Sequence, residues 1–384
     1  MSNFDTKGRN TIMSTINKVV STVWWNKENY HKLRNLFADS EFVYVPFYDK
    51  ETLKKEVADA DVAIIIGDVD NCLLGDNTLK WVQCDHAGLN GSARPEVFAK
   101  GFDVAGAAGR SAPVLAEHCI YFMLELCYHT KELLAAQEAG HWGVEGSQKW
   151  RGLYGRKVGI VGMGNNGRML AERLHALGMD IYAYDYFPIK GFDYCHKYSH
   201  QEGHSIDPLL AECDFIVLTL ALTDETYHMF NSDTFDKMRD GSYLINMARG
   251  GIVDTQAMMD ALNSGKLAGA GLDVIEEDPL PADHPLWHME NVYITPHCTP
   301  QVPNRDGRTL EIIAENKRRF EAGEPLLNLL KPADATANTG SAAAGGWAKL
   351  MNSDMPKEEI EKLPLDKFLG ERGWRDPSEW NYLD

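Results

Sequence analysis

Three side chains in the C-terminal half of the chain have the chemistry to bind an anion and to move a proton. Arg249 comes directly after the run SYLINMA, Asp278 lies in GLDVIEEDP, and His297 ends the run VYITPH. A guanidinium grips a carboxylate through two hydrogen bonds, and it suits a 2-oxo acid, whose carboxylate and carbonyl oxygens are adjacent. Histidine is the natural proton donor and acceptor near neutral pH. We therefore predict that these three residues are catalytic.

Each of these residues taken alone also has an ordinary structural explanation. The chain has 13 histidines, and Glu276 and Glu277 precede Asp278 as alternative partners for His297. An isolated arginine is most often a surface charge. Their shared position after strand-like runs favours the catalytic interpretation, because ligands of open parallel sheets bind beyond the carboxyl ends of the strands. A carboxylate at the second imidazole nitrogen would orient His297 and stabilise its charged form.

A glycine-rich turn in the middle of the chain predicts a dinucleotide site. The residues GMGNNG follow the strand-like run KVGIV and precede the helix-like run RMLAERLHALG. In such a motif Gly162 permits a tight turn, Gly164 lets a pyrophosphate approach the backbone, and Gly167 allows the helix to pack on the strand. The amides near Asn165 and Asn166, at the start of the helix, would face the phosphates.

The residue that ends the next strand-like run indicates which dinucleotide binds. Asp185 closes DIYAYD, at close to the spacing of about 20 residues expected for the acid that binds the adenosine ribose hydroxyls. A carboxylate there repels a 2′-phosphate, and no arginine follows it in DYFPIK. The sequence therefore predicts NAD rather than NADP as the cofactor.

The elements that must position these side chains alternate between strand-like and helix-like runs in two successive series, which predicts an α/β fold with two parallel sheets. The first series of predicted strands is Val20 to Trp25, Glu41 to Phe47, Asp61 to Gly67, Trp81 to Asp85 and Asp103 to Ala108. The second series is Lys157 to Met163, Asp180 to Asp185, Asp214 to Leu220, Ser242 to Met247, Gly269 to Val274 and Val292 to His297.

The helical runs and composition then divide the chain into domains. One long helix, 112–138, would link the two series, and a helix over 304–322 would return the chain to the first unit. We expect a discontinuous substrate (lid) domain, 15–118 with 303–330, and a dinucleotide-binding domain, 119–302. Residues 331–346 are predicted to be a flexible linker. Residues 347–384 contain several tryptophans, so we expect this extension to dock on the body of the protein; a role over the active site or on a partner subunit is the alternative.

Composition excludes several classes of protein. Acidic side chains number 56 against 38 basic ones, a formal charge of −18 that disfavours nucleic acid and anionic membranes as partners. Apolar runs fall short of the roughly 20 residues needed to span a bilayer. The seven cysteines have no zinc-ligand spacing, so no metal is expected, and they fit a reduced compartment. Asp5 and its polar neighbours make an export signal improbable. We expect a cytoplasmic protein.

Taken together, six motifs resemble the D-isomer-specific 2-hydroxyacid dehydrogenase family, over about residues 60–330. They are SAPVLAEH, KVGIVGMGNNGR, LTLALTDET, NMARGGIVD, KLAGAGLDVIEEDPLP and NVYITPH. The resemblance implies two Rossmann-like or flavodoxin-like domains with a cleft between them, and a homodimer that exchanges an arm at about 115–150. It also implies that Arg249, Asp278 and His297 are the catalytic residues.

The same resemblance implies further binding residues. The NAD contacts would be at Asp185, Met247, Ala248 and Asp273, with Asp273 on the nicotinamide amide. Backbone amides of Gly88 and Leu89, in HAGLN, would bind the substrate carboxylate together with Arg249.

The chain departs from the family pattern at several positions. Asp278 stands where glutamate is usual, so the side chain is one methylene shorter and must either approach His297 more closely or reach it less well. Thr219 and Ala221 replace a histidine and a proline, and Cys298-Thr299-Pro300 replaces a small glycine-rich turn. In IIGDVDN, Asp68 and Asp70 occupy a loop where relatives place arginine or serine, which disfavours a substrate with an anionic far end.

The expected function is an NAD-dependent D-2-hydroxyacid dehydrogenase that acts on a small 2-oxo acid, with His297 as general acid and base. The alternative is a catalytically weak protein of the corepressor type that senses NAD(H), an interpretation motivated by the C-terminal extension. A formate dehydrogenase would need glutamine at position 278, and an L-specific dehydrogenase would carry its dinucleotide motif near the N-terminus.

Overall fold

The computed structural model describes residues 15–334. The chain folds into two compact units. The first contains the described residues up to Ala108 together with Asn304–Pro332, and the second contains Gly109–Pro303. The predicted extension at 347–384 and nearly all of the predicted linker at 331–346 lie outside the described residues.

The described residues form twelve β-strands, in chain order β1 (Lys18–Ser21), β2 (Glu41–Tyr44), β3 (Val62–Ile65), β4 (Trp81–Cys84), β5 (Asp103–Ala105), β6 (Lys157–Val161), β7 (Asp180–Asp185), β8 (Cys195–Ser199), β9 (Phe215–Leu218), β10 (Ser242–Asn246), β11 (Leu267–Leu272) and β12 (Val292–Ile294). The α-helices of this region are α1 (Lys27–Leu36), α2 (Lys50–Val57), α3 (Pro95–Phe98), α4 (Ala112–Tyr128), α5 (Thr130–Glu138), α6 (Asn165–Ala176), α7 (Asp207–Glu212), α8 (Ser232–Lys237), α9 (Thr255–Asn263) and α10 (Arg305–Glu321).

The first unit is built on a parallel sheet with the strand order β2-β1-β3-β4-β5. Strands β1, β3 and β4 are buried along their whole length, as expected for short apolar strands covered by helices on both faces. Helix α10 belongs to this unit although it comes last: Phe320 stacks on Trp81, and the buried Asn316 donates to Gln83 Oε1 at 2.9 Å. The first unit is therefore discontinuous in sequence.

The second unit is built on a parallel sheet with the strand order β12-β11-β10-β9-β6-β7-β8. Strand β6 pairs with β7 on one side and with β9 on the other, so the chain winds away from it in two directions. Such a switch point opens a crevice at the carboxyl ends of the strands, which is where doubly wound folds bind dinucleotides. The glycine-rich turn follows β6 directly.

The predicted α/β architecture with two parallel sheets is confirmed, and the differences lie at the ends of elements. Strand β8 was not predicted, because its sequence CHKYS contains almost no apolar residues and forms the edge of the sheet. The single helix predicted over 112–138 is wrong: α4 and α5 are separated at His129, whose φ of 47° is left-handed. No glycine or proline in Tyr128-His129-Thr130 signals this break.

Helix α4 belongs to the second unit, so the boundary between the units lies at Ala108 rather than at residue 118. The helix packs closely on β11, because Gly271 has no side chain: a Cβ at Gly271 would lie 2.6 Å from Cβ of Phe122. Phe122 is fully buried. The glycine thus sets the distance between the helix and the sheet that carries the candidate site.

We expect Gly271→Ala to destabilise the protein by about 1–3 kcal/mol, because the added methyl must displace Phe122 in a packed core. The free energy of unfolding in urea measures this. Gly152→Ala is the matched control, since no described atom lies within 4 Å of a Cβ at that position. Equal stability of the two variants would show that the helix can move away from the sheet without cost.

Candidate active site

The candidate catalytic residues come from neighbouring strand ends of the second unit. Strands β10, β11 and β12 are adjacent and parallel, so their carboxyl ends lie side by side. Arg249 follows β10, Asp278 lies in the segment after β11, and His297 follows β12. The order of the strands in the sheet therefore brings together residues that are far apart in sequence.

His297 is held by Asp278 through a direct hydrogen bond. The distance between Nδ1 of His297 and Oδ2 of Asp278 is 2.9 Å, so the shorter carboxylate reaches the ring. The side chain of His297 is 41% exposed, whereas that of Asp278 is only 19% exposed. With Nδ1 engaged, Nε2 is the nitrogen left to exchange a proton with a substrate.

Glu276, an alternative partner for His297, has other contacts. Its Oε1 accepts from the Tyr227 hydroxyl at 3.0 Å and lies 2.6 Å from Nε2 of His228. The sequence left the partner of His297 open, and the structure pairs it with Asp278. Glu276 instead contacts Tyr227 and His228.

The turn that carries Arg249 is fixed by a buried asparagine that the sequence analysis missed. Asn246 Oδ1 accepts from the amide of Ala248, and its Nδ2 donates to the carbonyl oxygen of Arg249, both at 3.1 Å. Asn246 is 1% exposed. Its position at the end of a strand, just before the arginine, was the available signal, since asparagine side chains commonly bond the backbone of a turn. Met247 and Ala248 are also buried, and the guanidinium of Arg249 bonds the carbonyl oxygen of Ala248 at 2.7 Å.

A glycine lets the segments of Arg249 and Asp278 come together. A Cβ at Gly250 would lie 2.0 Å from the carbonyl oxygen of Ile275 and 2.4 Å from the amide nitrogen of Glu276. Real Cβ atoms never approach backbone this closely, so any other residue would push the two segments apart. Gly250, the first glycine in NMARGGIVD after the arginine, thus has a packing role.

Asp273 holds the segment that carries His297. Its carboxylate accepts from the Thr295 hydroxyl at 2.6 Å, from the Thr299 hydroxyl at 3.1 Å and from the amide of Cys298 at 3.1 Å. Its carbonyl oxygen accepts from the amide of His297 at 3.0 Å. Asp273 is only 5% exposed. Its expected contact with a nicotinamide amide stays a prediction.

The glycine-rich turn has the shape that a pyrophosphate requires. Gly162 has a φ of 101°, and a Cβ at Gly167 would lie 2.0 Å from the carbonyl oxygen of Gly162, so both positions require glycine. In front of Gly164, by contrast, no described atom lies within 4 Å of an added Cβ. Helix α6 begins at Asn165, and no side chain within residues 15–334 caps its first turn. The amides of Asn165 and Asn166 therefore belong to an uncapped helix N-terminus, which fits phosphate groups.

Asp185 and Thr219 attach neighbouring segments to this turn. Oδ2 of Asp185 accepts from the amide of Met163 at 2.6 Å, and Oδ1 accepts from the amide of Phe187 at 2.9 Å. Each carboxylate oxygen keeps a second lone pair, so the partly exposed side chain can still accept from ribose hydroxyls. Thr219, which replaces the family's histidine, donates to the carbonyl oxygen of Gly162 at 2.7 Å. The arrangement fits a dinucleotide.

The residues expected to bind a substrate carboxylate, Gly88 and Leu89, lie in a loop of the first unit, where Gly88 has a φ of 79°. Asp68 supports this loop: it is buried and accepts from the Ser92 hydroxyl at 2.6 Å. Burial opposes its ionisation, but contacts with His86 and Ser92 hold the pKa of Asp68 below its usual value. Asp70 is paired with Lys50. Both carboxylates thus have partners within the first unit, and the expectation that they disfavour a substrate with an anionic far end stays a prediction.

A cavity of about 130 Å³ lies beside His297. Its walls include the carboxylate residues Asp278 and Asp273 and the apolar residues Leu280, Trp287 and Ile294. The proton-transfer pair is therefore in contact with a small, partly apolar space.

Among the described residues there is neither a metal-ligand cluster nor a membrane-spanning helix. Within residues 15–334, no group of histidine, cysteine and carboxylate side chains is arranged to hold a metal ion. The helices of this region are too short or too polar to cross a membrane.

Comparison with known proteins connects this geometry to a family. The model of the family described as D-isomer specific 2-hydroxyacid dehydrogenase, NAD binding domain, matches residues 120–299. The glyoxylate reductase of Thermofilum pendens is 30% identical over 292 residues, which are 72% of this chain and 82% of that protein. The hydroxypyruvate reductase of Thermotoga maritima is 34% identical over 256 residues, which are 65% of this chain and 81% of that protein.

A solved structure is similar over nearly its whole length. The D-isomer specific 2-hydroxyacid dehydrogenase of Xanthobacter autotrophicus, in complex with NADPH and MES, is 27% identical, with a TM-score of 0.69. The match covers 83% of this chain and 99% of that one.

We expect Asn246→Ala to lower the free energy of unfolding by about 1–3 kcal/mol, because it leaves buried backbone groups of Ala248 and Arg249 without a partner. Urea unfolding checks this. Asn291→Ala is the control, since the Asn291 side chain makes one 3.3 Å bond and is only partly buried. If Asn246→Ala were no less stable than the control, the turn would not depend on this side chain.

Proposed function

We propose that this chain, which belongs to the D-isomer-specific 2-hydroxyacid dehydrogenase family and is an NAD-dependent oxidoreductase, reduces a small 2-oxo acid to the D-2-hydroxy acid. The observation that carries the proposal is the 2.9 Å hydrogen bond between His297 and Asp278. Asp278 follows β11, which lies next to β10, the strand that leads to Arg249. Reduction of a ketone needs one hydride and one proton, and this pair supplies the proton.

In this reaction His297 donates a proton from Nε2 to the carbonyl oxygen of the substrate, and it removes that proton in the reverse direction. Asp278 orients the ring through its hydrogen bond to Nδ1. Arg249 binds the substrate carboxylate and stabilises the charge that develops on the carbonyl oxygen. The nicotinamide cofactor, when bound, supplies the hydride. The assignment of Gly88 and Leu89 to the carboxylate stays a prediction.

The proposed substrates are 2-oxo acids with a short side chain. Two relatives are named for glyoxylate and hydroxypyruvate, which carry no more than one carbon beyond the carbonyl group. The small cavity beside His297 supports a substrate of this size.

We further propose NAD rather than NADP as the cofactor of this chain, and a homodimer as its assembly. The carboxylate of Asp185 supports the first, because it would repel a 2′-phosphate. Exposed apolar side chains in the predicted arm support the second: Tyr128 is 53% exposed, Leu134 58% and Trp142 fully exposed. Apolar groups clustered on one segment favour contact with a second protein surface.

The test of the proposed activity is oxidation of NADH by the full chain with a panel of 2-oxo acids that includes glyoxylate, hydroxypyruvate and pyruvate. We expect turnover with at least one of them, and a loss of about 100- to 1000-fold in kcat/KM for Arg249→Ala, because a charged partner of the transition state is removed. His297→Gln should lose activity to a similar degree. His288→Gln is the control, since His288 is an exposed histidine of the same unit.

Wild-type activity in Arg249→Ala or His297→Gln would contradict the proposed roles. Binding of NADH without turnover of any 2-oxo acid would favour a cofactor-sensing protein over an enzyme.

Cofactor choice is tested with Asp185→Asn, which removes the charge and keeps one of the two oxygens that accept from the amides of Met163 and Phe187. We expect the ratio of the Kd values for NADPH and NADH to fall about tenfold, because repulsion of a 2′-phosphate is lost, whereas the loss of one backbone hydrogen bond affects both cofactors and cancels in the ratio. Titration of cofactor fluorescence measures both constants. An unchanged ratio would mean that the carboxylate does not face the adenosine ribose.

A further inference from the structure

Behind the segment of His297, four side chains of the second unit form a closed ring of hydrogen bonds. The ring nitrogens of His118 contact two hydroxyls: Nε2 lies 3.0 Å from Thr295 Oγ1, and Nδ1 lies 2.9 Å from Thr299 Oγ1. Each hydroxyl also contacts a different oxygen of Asp273, Thr295 at 2.6 Å and Thr299 at 3.1 Å. His118 and Asp273 are both buried, so the four groups satisfy one another instead of being hydrated.

The hydrogens available to this ring depend on the charge of His118. A threonine hydroxyl has one hydrogen, and an ionised carboxylate only accepts. If both hydroxyls donate to Asp273, both nitrogens of His118 must donate, and the ring must be an imidazolium. A neutral imidazole has one donor nitrogen and one acceptor nitrogen, so one hydroxyl must turn from Asp273 to His118.

The distances indicate which hydroxyl turns. Thr295 holds Asp273 at 2.6 Å, whereas Thr299 does so at 3.1 Å, and the shorter contact is the stronger hydrogen bond. Thr299 therefore turns toward Nδ1 of His118, and the second oxygen of Asp273, Oδ2, loses its partner. Asp273 is among the residues that line the cavity beside His297, although it is only 5% exposed.

The charges around His118 set the direction of its titration. On its own helix it faces Phe122, stacked at 4.8 Å, and Tyr121. Across from the helix it faces Asp273, with 4.0 Å between Nδ1 and the carboxylate. Burial and the charge of Asp273 raise the pKa values of the nearby Cys119 and Cys298 thiols, which stay neutral. Burial lowers the pKa of His118, against the opposing pull of Asp273, so the neutral form prevails at neutral pH.

We propose that His118 and Thr299 are positioning residues that set how strongly Asp273 binds the cofactor. With His118 neutral, Oδ2 of Asp273 is free to accept a hydrogen bond from an amide N–H of the bound nicotinamide cofactor; with His118 protonated, Oδ2 is shared between that amide and the Thr299 hydroxyl, and the bond to the cofactor is weaker. This inference rests on the proposed function, in which Asp273 is a cofactor contact. Thr299 is one of the positions at which this chain departs from the family pattern.

The sign of the pH dependence follows directly. The affinity for NADH is complete above the pKa of His118 and falls as the pH drops through it, because Oδ2 is then shared with the Thr299 hydroxyl. Weakening one hydrogen bond to a charged group changes Kd by up to about tenfold.

The test is a titration of NADH binding to the full chain between about pH 5 and pH 8, where histidine charge changes. Wild-type protein should bind up to about tenfold more weakly at the acid end. His118→Gln, whose amide offers one donor and one acceptor, should bind as the wild type does at neutral pH and lose the pH dependence. Thr299→Val should also bind without pH dependence, and Thr299→Ser should restore it. His288→Gln controls for other histidines.

Circular dichroism of each variant, and the histidine NMR signal that disappears in His118→Gln, keep the outcome clear if one variant folds poorly. A wild-type pH profile in folded His118→Gln or Thr299→Val overturns the inference and leaves the proposed function standing. A wild-type protein that binds NADH with this pH profile but reduces no 2-oxo acid overturns the proposed function alone. Wild-type protein that binds no NADH at any pH overturns both.

Discussion

The hydrogen bonds of Asp273 are the interaction on which the candidate site depends most. The residue follows β11, and it fixes the segment after β12 through its carbonyl oxygen, which holds His297, and through its carboxylate, which holds Thr295, Cys298 and Thr299. His297 has a left-handed φ of 50°, a backbone conformation that needs support from its surroundings. The buried carboxylate of Asp273, which accepts hydrogen bonds from several donors, gives that support. It thereby fixes the backbone position from which the imidazole of His297 extends.

Close contacts at glycines provide the second constraint. Gly250 lets the Arg249 turn touch the backbone of Ile275 and Glu276, and Gly167 lets helix α6 touch the turn at Gly162. Each contact is between backbone atoms, which cannot move aside as a flexible side chain can. The positions of Arg249, Asp278 and the helix amides are therefore set by main-chain packing, which fixes the backbone from which the candidate catalytic side chains extend.

The architecture was predictable because it depends on local patterns. Buried parallel strands are short apolar runs, and the sequence displays them clearly, as in β9 and β6. Edge strand β8 escaped notice because it is only partly buried, and the break at His129 because a single left-handed residue has no compositional signal. Asn246 and His118 were missed for a related reason: each is one polar residue in an apolar run, and its importance appears only through its partners.

The sequence by itself determined the two sheets, the glycine-rich turn and the residue types needed for hydride and proton transfer, because periodicity, glycine spacing and side-chain chemistry act over a few residues. Only the tertiary structure decided the pairings. It chose Asp278 over Glu276 for His297, gave the carboxylates of Asp68 and Asp70 internal partners, and joined His118 to Asp273 through two hydroxyls. The physical reason is that hydrogen bonds form between groups that the order of strands brings together, and that order is a property of the whole sheet.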